Sequence, residues 1–340
     1  MINTVYRLTA PKFFEEVFVE ETDFNKVIVR PKYLSICQAD QRYFNGNRPP
    51  EVLNKKLPMA LFHEAVGEVI YSHDESFDVG DKVVMIPNTP IETDDVILEN
   101  YLRSSKFRSS GYDGFMSEYV FMNSDRVVKL PEDINLEVAA FTELISVGMH
   151  AISRFKNFSH KRKEKIGVWG DGSFGYITSL LLKYIFPESE VYIFGVNYER
   201  LAYFSFTDKR FKVNEVPDDL RIDHAFECVG STKAQDAINQ IIDIINPQGS
   251  ISLLGVSEYN VPINTRMVLE KGLNIFGSSR SGYIDFKETV NLLNEHPQLI
   301  NYFETLITNK IIVNEISDIN KAFELDLQSK FGKTVLKWDI

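Results

Sequence analysis

The stretch Gly170-Asp171-Gly172-Ser173-Phe174-Gly175 constrains the fold of this chain more than any other. It follows an apolar run, Ile166–Trp169, and precedes a helical pattern, Tyr176–Phe186, that Pro187 closes. Strand, glycine-rich turn and helix in that order give GxGxxG its meaning. The glycines allow a tight turn and a close approach of pyrophosphate to backbone, and the helix N-terminus offers N–H donors and the positive end of its dipole. The alternation continues through Val191–Phe194, His224–Cys228, a helix over Ala234–Ile245 and Ser250–Leu254. This rhythm predicts a doubly wound parallel sheet that holds a dinucleotide.

The chain before Pro87 has a different texture. Lys26–Pro31, Ala65–Tyr71 and Lys82–Ile86 are β-branched runs bounded by Pro, Gly and Asp, which predicts a partly closed β architecture. Residues 88–112 lack periodicity and read as a long loop, and long loops in compact domains tend to carry function. A chain of 340 residues is comfortable for two domains. The net charge of −11 argues against a nucleic-acid partner, which needs a basic face. Met1–Pro11 lacks the basic and apolar regions of a signal peptide, and the apolar stretch Ser179–Phe186 is too short to span a bilayer. The expectation is a cytoplasmic protein with no membrane partner. Two cysteines, Cys37 and Cys228, cannot form a disulfide framework and suit a ligand or a small core residue.

The cofactor class is read at the end of the second nucleotide-domain strand. An NAD-binding chain usually places an acid there for the ribose hydroxyl. Here Gly195-Val196-Asn197-Tyr198-Glu199-Arg200 follows. Gly195 leaves space, and Asn197, Tyr198 and Arg200 can surround a phosphate, which favours NADPH/NADP+. The alternative is that Arg200 is an ordinary helix residue and Glu199 turns to the ribose. Asp171, awkward beside a pyrophosphate, is expected to point away from it.

A second constellation carries the chemistry. Cys37 and Asp40 follow a strand, His63-Glu64 precedes another, and Glu143 lies just before the nucleotide domain. Thiolate, imidazole and carboxylate are the ligands of open catalytic zinc sites. Each residue alone is more often structural, so the joint pattern is what points to Zn2+.

These motifs together resemble the zinc-containing medium-chain dehydrogenases/reductases along almost the whole length. The resemblance rests on Cys37-x-x-Asp40, His63-Glu64-x-x-Gly67-x-Val69, Gly80-Asp81-x-Val83, Gly114-Phe115-x-x-Glu118-Tyr119 and Glu143. It continues through the GxGxxG turn, Glu227-Cys228-Val229-Gly230, Gly255-Val256, Gly277-Ser278 and Gly332-Lys333-x-Val335-Leu336. It implies an α/β chain: a Rossmann-like doubly wound parallel sheet domain over 146–285 and a β-rich GroES-like catalytic domain over 1–145 and 286–340, with a cleft at their junction. It implies one catalytic zinc on Cys37, His63 and Glu143, with Glu64 as an exchangeable fourth ligand and Asp40 orienting a ligand from behind. The cofactor would meet Gly170, Gly172, Phe174, Gly175, Gly195, Asn197, Arg200, Gly255 and Ser278, with Lys333 reaching the pyrophosphate.

Four positions depart from the family pattern. Two cysteines cannot build the four-cysteine structural zinc site, and the 88–112 loop occupies that region. Phe62 replaces the usual Gly before His63. Ala39 stands where a Ser or Thr relays the proton, and Arg42 stands near the place of a relay histidine.

Within the family the chain is most similar to the bacterial ribulose-5-phosphate reductases, which use NADPH and feed CDP-ribitol synthesis for teichoic acid or capsule. Ser35–Tyr43, Pro87–Pro90, Phe107–Gly111, Leu253–Glu258 and Gly277–Gly282 carry that similarity. It implies a sugar-phosphate substrate, a homo-oligomer (dimer or tetramer) and a functional pairing with a cytidylyltransferase. An acidic protein needs local cations for such a substrate, and Arg42 and Arg280 are the candidates because guanidinium binds phosphate through two oxygens. Arg103, Lys106 and Arg108 form a further basic group in the loop, equally readable as a solvated face. Two rival readings are an NAD-dependent polyol dehydrogenase acting on an unphosphorylated sugar alcohol and a non-catalytic nucleotide-binding protein. The second is opposed by retention of the whole ligand set.

Overall fold

The computed structural model describes residues 1–340. The chain forms two compact units, Met1–Ser146 with Ser281–Ile340, and Val147–Arg280. The helix Thr142–Phe158 begins in the first and ends in the second.

The first unit is β-rich. Its main sheet runs in the order Val127–Lys129, Lys82–Met85, Glu64–Tyr71, Val27–Ser35, Lys333–Trp338, Ile307–Val313, with Val120–Met122 also paired to Val27–Ser35. Neighbours are antiparallel except the final pair, which is parallel. The C-terminal strand Lys333–Trp338 therefore lies beside the strand that leads into Cys37. A smaller sheet joins Phe13–Glu20, Ile2–Ala10 and Met59–Ala60. Between these layers lies an aromatic core. Phe44 and Phe323 stack with ring centres 4.3 Å apart, and Phe14 and Phe62 pack on the same Phe323 ring. Buried rings of this size are a large hydrophobic contribution and prefer such offset contacts. They fix the segments that bear the ligands described below.

The second unit holds six parallel strands in the order Lys209–Lys212, Glu190–Gly195, Lys165–Trp169, Ile222–Glu227, Ile245–Leu253, Asn274–Gly277. The expected doubly wound sheet is present. Trp169 and Phe194 stack on adjacent strands with ring centres 3.8 Å apart. The helix Ala234–Ile244 buries Ala237, Ile238, Ile241 and Ile242 against that sheet, the spacing of an amphipathic face. The helix after the glycine turn is Ser173–Ile185, three residues earlier than its apolar pattern suggests, because Ser173 to Gly175 already turn with helical geometry after the N-cap Gly172.

Residues 88–112 are not a bare loop. Asn88–Thr89 pairs with Lys106–Phe107, and a short 3-10 turn spans Glu99–Tyr101. The Arg126 guanidinium donates to Glu99, whose Oε1 also accepts from the Tyr283 amide. No helix is long and apolar enough to cross a membrane.

His224 ties the base of the nucleotide sheet. Its Nδ1 accepts from the Ser250 amide at 3.1 Å, so Nε2 carries the proton and donates to the Arg162 carbonyl at 2.9 Å. Burial, with His160 and Lys163 nearby, pushes its pKa down from 6.5 to about 4; the Arg162 carbonyl and Asp223 oppose that shift. The folded state thus takes up the proton less readily than the unfolded chain. Stability from this group is complete above pH 6.5 and is lost as the pH falls toward 4. Urea midpoints should fall between pH 7 and pH 5 in the native protein, and less so in His224→Gln.

Candidate metal centre and nucleotide site

The ligand cluster grows from two chain reversals. Cys37 is the N-cap of the helix Gln38–Phe44; its Sγ accepts from the Ala39 amide and Asp40 closes a capping box onto the Cys37 amide. This pattern satisfies helix-end donors that otherwise lack partners. His63 precedes the strand that Glu64 opens, and Glu143 lies in the first turn of the helix Thr142–Phe158. Cys37 Sγ lies 4.0 Å from His63 Nδ1. Ligand atoms of Cys37, Asp40 and His63 lie within 4.8 Å of one another, and so do those of His63, Glu64 and Glu143. His63 belongs to both sets, so the four residues expected as ligands converge.

Phe62 explains one departure from the family pattern. Its φ is +64°, the left-handed region where glycine is at ease and a bulky residue is strained. The strain is held by complete burial of the ring against Phe323 and by its amide, which donates to Asp40 Oδ1 at 3.1 Å. Gly114 packs behind this bend: a Cβ there would lie 2.1 Å from the Leu61 carbonyl and 2.3 Å from that of Phe62.

The electrostatics are those of an acid-rich shell. Burial, reinforced by Asp40 and Glu64, pushes the Cys37 thiol well up. Burial pushes Glu143 to about 7, with His63 opposing and Glu64 adding to the shift. The Cys37 thiol and the Glu143 carboxyl, which become charged only at a cost, together with the His63 imidazole and the Glu64 carboxylate, are a donor set that a divalent cation relieves. The residues therefore fit zinc.

Lys333 departs from its expected role. Its Nζ is buried, donates to the Ile36 carbonyl at 2.7 Å and to Glu64 Oε1 at 2.9 Å, and lies 2.8 Å from Glu64 Oε2. Parallel pairing of its strand and antiparallel pairing with Val27–Ser35 bring it to this place. It orders Glu64, with two of its three N–H donors engaged by Ile36 and Glu64.

Two residues of the loop also reach the cluster. The Phe107 ring packs on His63 with centres 5.4 Å apart, and the Ser109 hydroxyl donates to Asp40 Oδ1 at 2.9 Å. Ser109 lies in the Phe107–Gly111 stretch noted in the sequence, but no role for its hydroxyl is readable there.

The nucleotide turn uses each glycine differently. Gly170 has φ +123°, and a Cβ at Gly175 would fall 1.8 Å from the Gly170 carbonyl. A Cβ at Gly172 would meet nothing within 4 Å, so protein packing does not require that glycine. It leaves open space at the helix N-terminus, where an anion is bound by free N–H groups. Phe174 lies half-buried in the first turn of that helix. The buried hydroxyl of Ser278 and the buried Nε of Arg200 have no hydrogen-bond partner. Open space and unpaired donors fit a dinucleotide.

Asp171 does turn away from the glycine turn. Its Oδ2 accepts from the amides of Val196 and Asn197, both at 2.9 Å, and Oδ1 lies 3.5 Å from Arg200 Nη1. One expectation is corrected by this. The room at Gly195 is filled by Asp171, whose Cβ would lie 2.6 Å from a Cβ there, rather than kept for a phosphate. The Asn197 Oδ1 caps the next helix, accepting from the amides of Glu199 and Arg200, and this cap does not engage the Nδ2 donors. Gly255 likewise serves packing, since its Cβ would meet Gly230 N at 2.1 Å and Glu227 Oε1 at 2.6 Å. Arg42 lies half-buried in the last turn of the helix that Cys37 caps. Arg280 ends the second unit with φ +59°.

Residues 23–132 match the alcohol dehydrogenase GroES-like domain and residues 203–295 the zinc-binding dehydrogenase domain. The ribulose-5-phosphate reductase of Bacillus spizizenii is 53% identical over 341 residues, covering 100% of both chains. That of Streptococcus pneumoniae is 45% identical, covering 100% of this chain and 98% of its own. The crystal structure of S. aureus TarJ in complex with NADPH superposes with a TM-score of 0.90 at 47% identity, covering 100% of both chains. The chain belongs to the zinc-containing medium-chain dehydrogenases/reductases. This family makes the chain an oxidoreductase, and its GroES-like and Rossmann-like folds are the two units described above.

Within this dehydrogenase/reductase, two substitutions separate roles. Lys333→Met would strand the buried Glu64 carboxylate and should cost about 3–5 kcal/mol of stability, read by urea denaturation. A residue serving only a pyrophosphate would instead weaken NADPH and leave stability alone. In the glycine turn, Gly172→Ala should keep the native melting temperature and weaken NADPH binding by titration calorimetry, whereas Gly175→Ala should lower the melting temperature.

Proposed function

We propose that the protein reduces D-ribulose 5-phosphate to D-ribitol 5-phosphate with NADPH and a single zinc, supplying CDP-ribitol for teichoic acid or capsule synthesis. The observation that carries this reading is full-length identity of 53% to a ribulose-5-phosphate reductase together with convergence of Cys37, His63, Glu64 and Glu143. The NADPH complex of a relative 47% identical supports the cofactor.

The residues present imply a division of labour. Cys37, His63 and Glu143 would hold the metal, with Glu64 exchangeable as a fourth ligand. When bound, zinc supplies a Lewis acid for the ketone oxygen and NADPH the hydride for its carbon. Lys333 aims Glu64 through the hydrogen bond from its Nζ to Oε1. Asp40 fixes the backbone of both ligand segments. Ala39 has no exchangeable proton, so the proton that the product hydroxyl gains comes from another group. The GxGxxG turn and Arg200 would take the dinucleotide phosphates, with Ser278 a further donor. Arg42 and Arg280 are proposed to bind the substrate phosphate by paired N–H donors.

With Cys37 at the cluster and Cys228 in the other unit, no cysteine set remains for a structural zinc. A cytoplasmic homo-oligomer that works with a cytidylyltransferase completes the proposal.

The direct test follows NADPH absorbance on adding D-ribulose 5-phosphate to zinc-loaded protein. Turnover should need the phosphate and the metal and should prefer NADPH to NADH. Oxidation of free polyols with NAD, and none of the sugar phosphate reduced, would refute the reading. Charge-removing changes at Arg42 and Arg280 should raise KM for the sugar phosphate with little change in kcat.

A further inference from the structure

Asp40 is a buried carboxylate with three donors. Oδ2 accepts from the Cys37 amide at 3.2 Å; Oδ1 accepts from the Phe62 amide at 3.1 Å and from the Ser109 hydroxyl at 2.9 Å. The two backbone donors belong to one metal-ligand candidate and to the residue just before another. This carboxylate therefore sets the register of the Cys37 and His63 segments. A terminal carboxylate torsion is broad and roughly two-fold, so its plane is set by the groups that bond it. The third donor comes from the 88–112 loop.

That donor is built in place. Ser109 is buried and has φ +58°, a conformation a serine adopts only when its surroundings hold it there. Its amide donates to the Tyr112 carbonyl at 2.9 Å, the Arg108 amide to the Pro87 carbonyl at 3.0 Å, and Lys56 Nζ to the Ser110 hydroxyl at 2.9 Å. Phe107, two residues earlier, covers His63. The segment is pinned on both sides of the one hydroxyl that enters the cluster.

We propose that Ser109 is a positioning residue for the metal centre: by holding the Asp40 carboxylate it makes the 88–112 loop part of the metal site, in a chain whose cysteine count leaves that loop no zinc of its own. The inference rests on the zinc reading of the cluster. Groups that orient metal ligands from behind typically contribute ten- to a hundredfold in metal affinity.

The test uses the full-length protein and Zn2+ competed against a chromogenic chelator, with the melting temperature of the metal-free protein measured in parallel. Ser109→Gly suits the φ and removes the CH2OH side chain, so the metal-free protein should still fold, with relief of the strain at φ +58° offsetting part of the lost hydrogen bond to Asp40. Its zinc affinity should fall by about tenfold or more. Ser109→Asn, which tolerates the same φ and carries an N–H donor, should recover much of that loss. Ser110→Ala cuts the Lys56 anchor without touching Asp40 and should leave zinc affinity unchanged. Native-like affinity in Ser109→Gly, or equal losses in Ser109→Gly and Ser110→Ala, would overturn the inference. Failure of the native protein to bind zinc would instead overturn the reading beneath it.

Discussion

Burying Asp40, Glu64 and Glu143 beside one thiol is the constraint on which the first unit is organised. Three carboxylates and one ammonium, Lys333, leave a formal charge of −2 before the thiol is considered. Such a charge is costly out of water, and proteins meet that cost with hydrogen bonds, ion pairs or a metal. The first two devices are visible. Asp40 takes three donors, Glu64 takes Lys333, and Glu143 is left with a pKa near 7 that a cation would lower. A zinc ion held by these residues would balance the remaining charge and favour the ionised form of Cys37.

The second unit answers a related problem with backbone. Its parallel strands deliver turns at their carboxyl ends, and buried acids organise those turns. Asp171 holds the amides after Glu190–Gly195, and Glu227 accepts from the amides of Val229, Gly230 and Gly255. Each acid has a glycine beside it that no side chain could replace: Gly195 for Asp171 and Gly255 for Glu227. The strictest positions in this unit are thus set by protein packing, while Gly172 remains open.

The parallel sheet and the β-rich unit are legible in the sequence because local pattern determines them, whereas the meeting of Cys37, His63, Glu64 and Glu143 is expected only from the family resemblance. What the sequence hides is long-range. Lys333 carries a basic label that suits a phosphate, and only sheet pairing reveals its partner Glu64, 269 positions away. Gly195 and Asn197 look like space and donors for a ligand. The Asp171 side chain fills the space at Gly195, and the helix cap engages only Oδ1 of Asn197. Phe62 shows the reverse case: a departure from pattern is tolerated because the ring gains a fully buried place against Phe323. Ser109 lies in a stretch shared with the resembling reductases, but its role exists only once the loop folds back onto Asp40.

Metal content per chain tests the central claim most directly. Protein purified with zinc present and desalted should carry one zinc per chain by elemental analysis. Cys37→Ser should lose most of it while keeping its far-ultraviolet circular dichroism. Two zinc ions per native chain, or full retention in Cys37→Ser, would contradict a single centre built on this buried acidic shell.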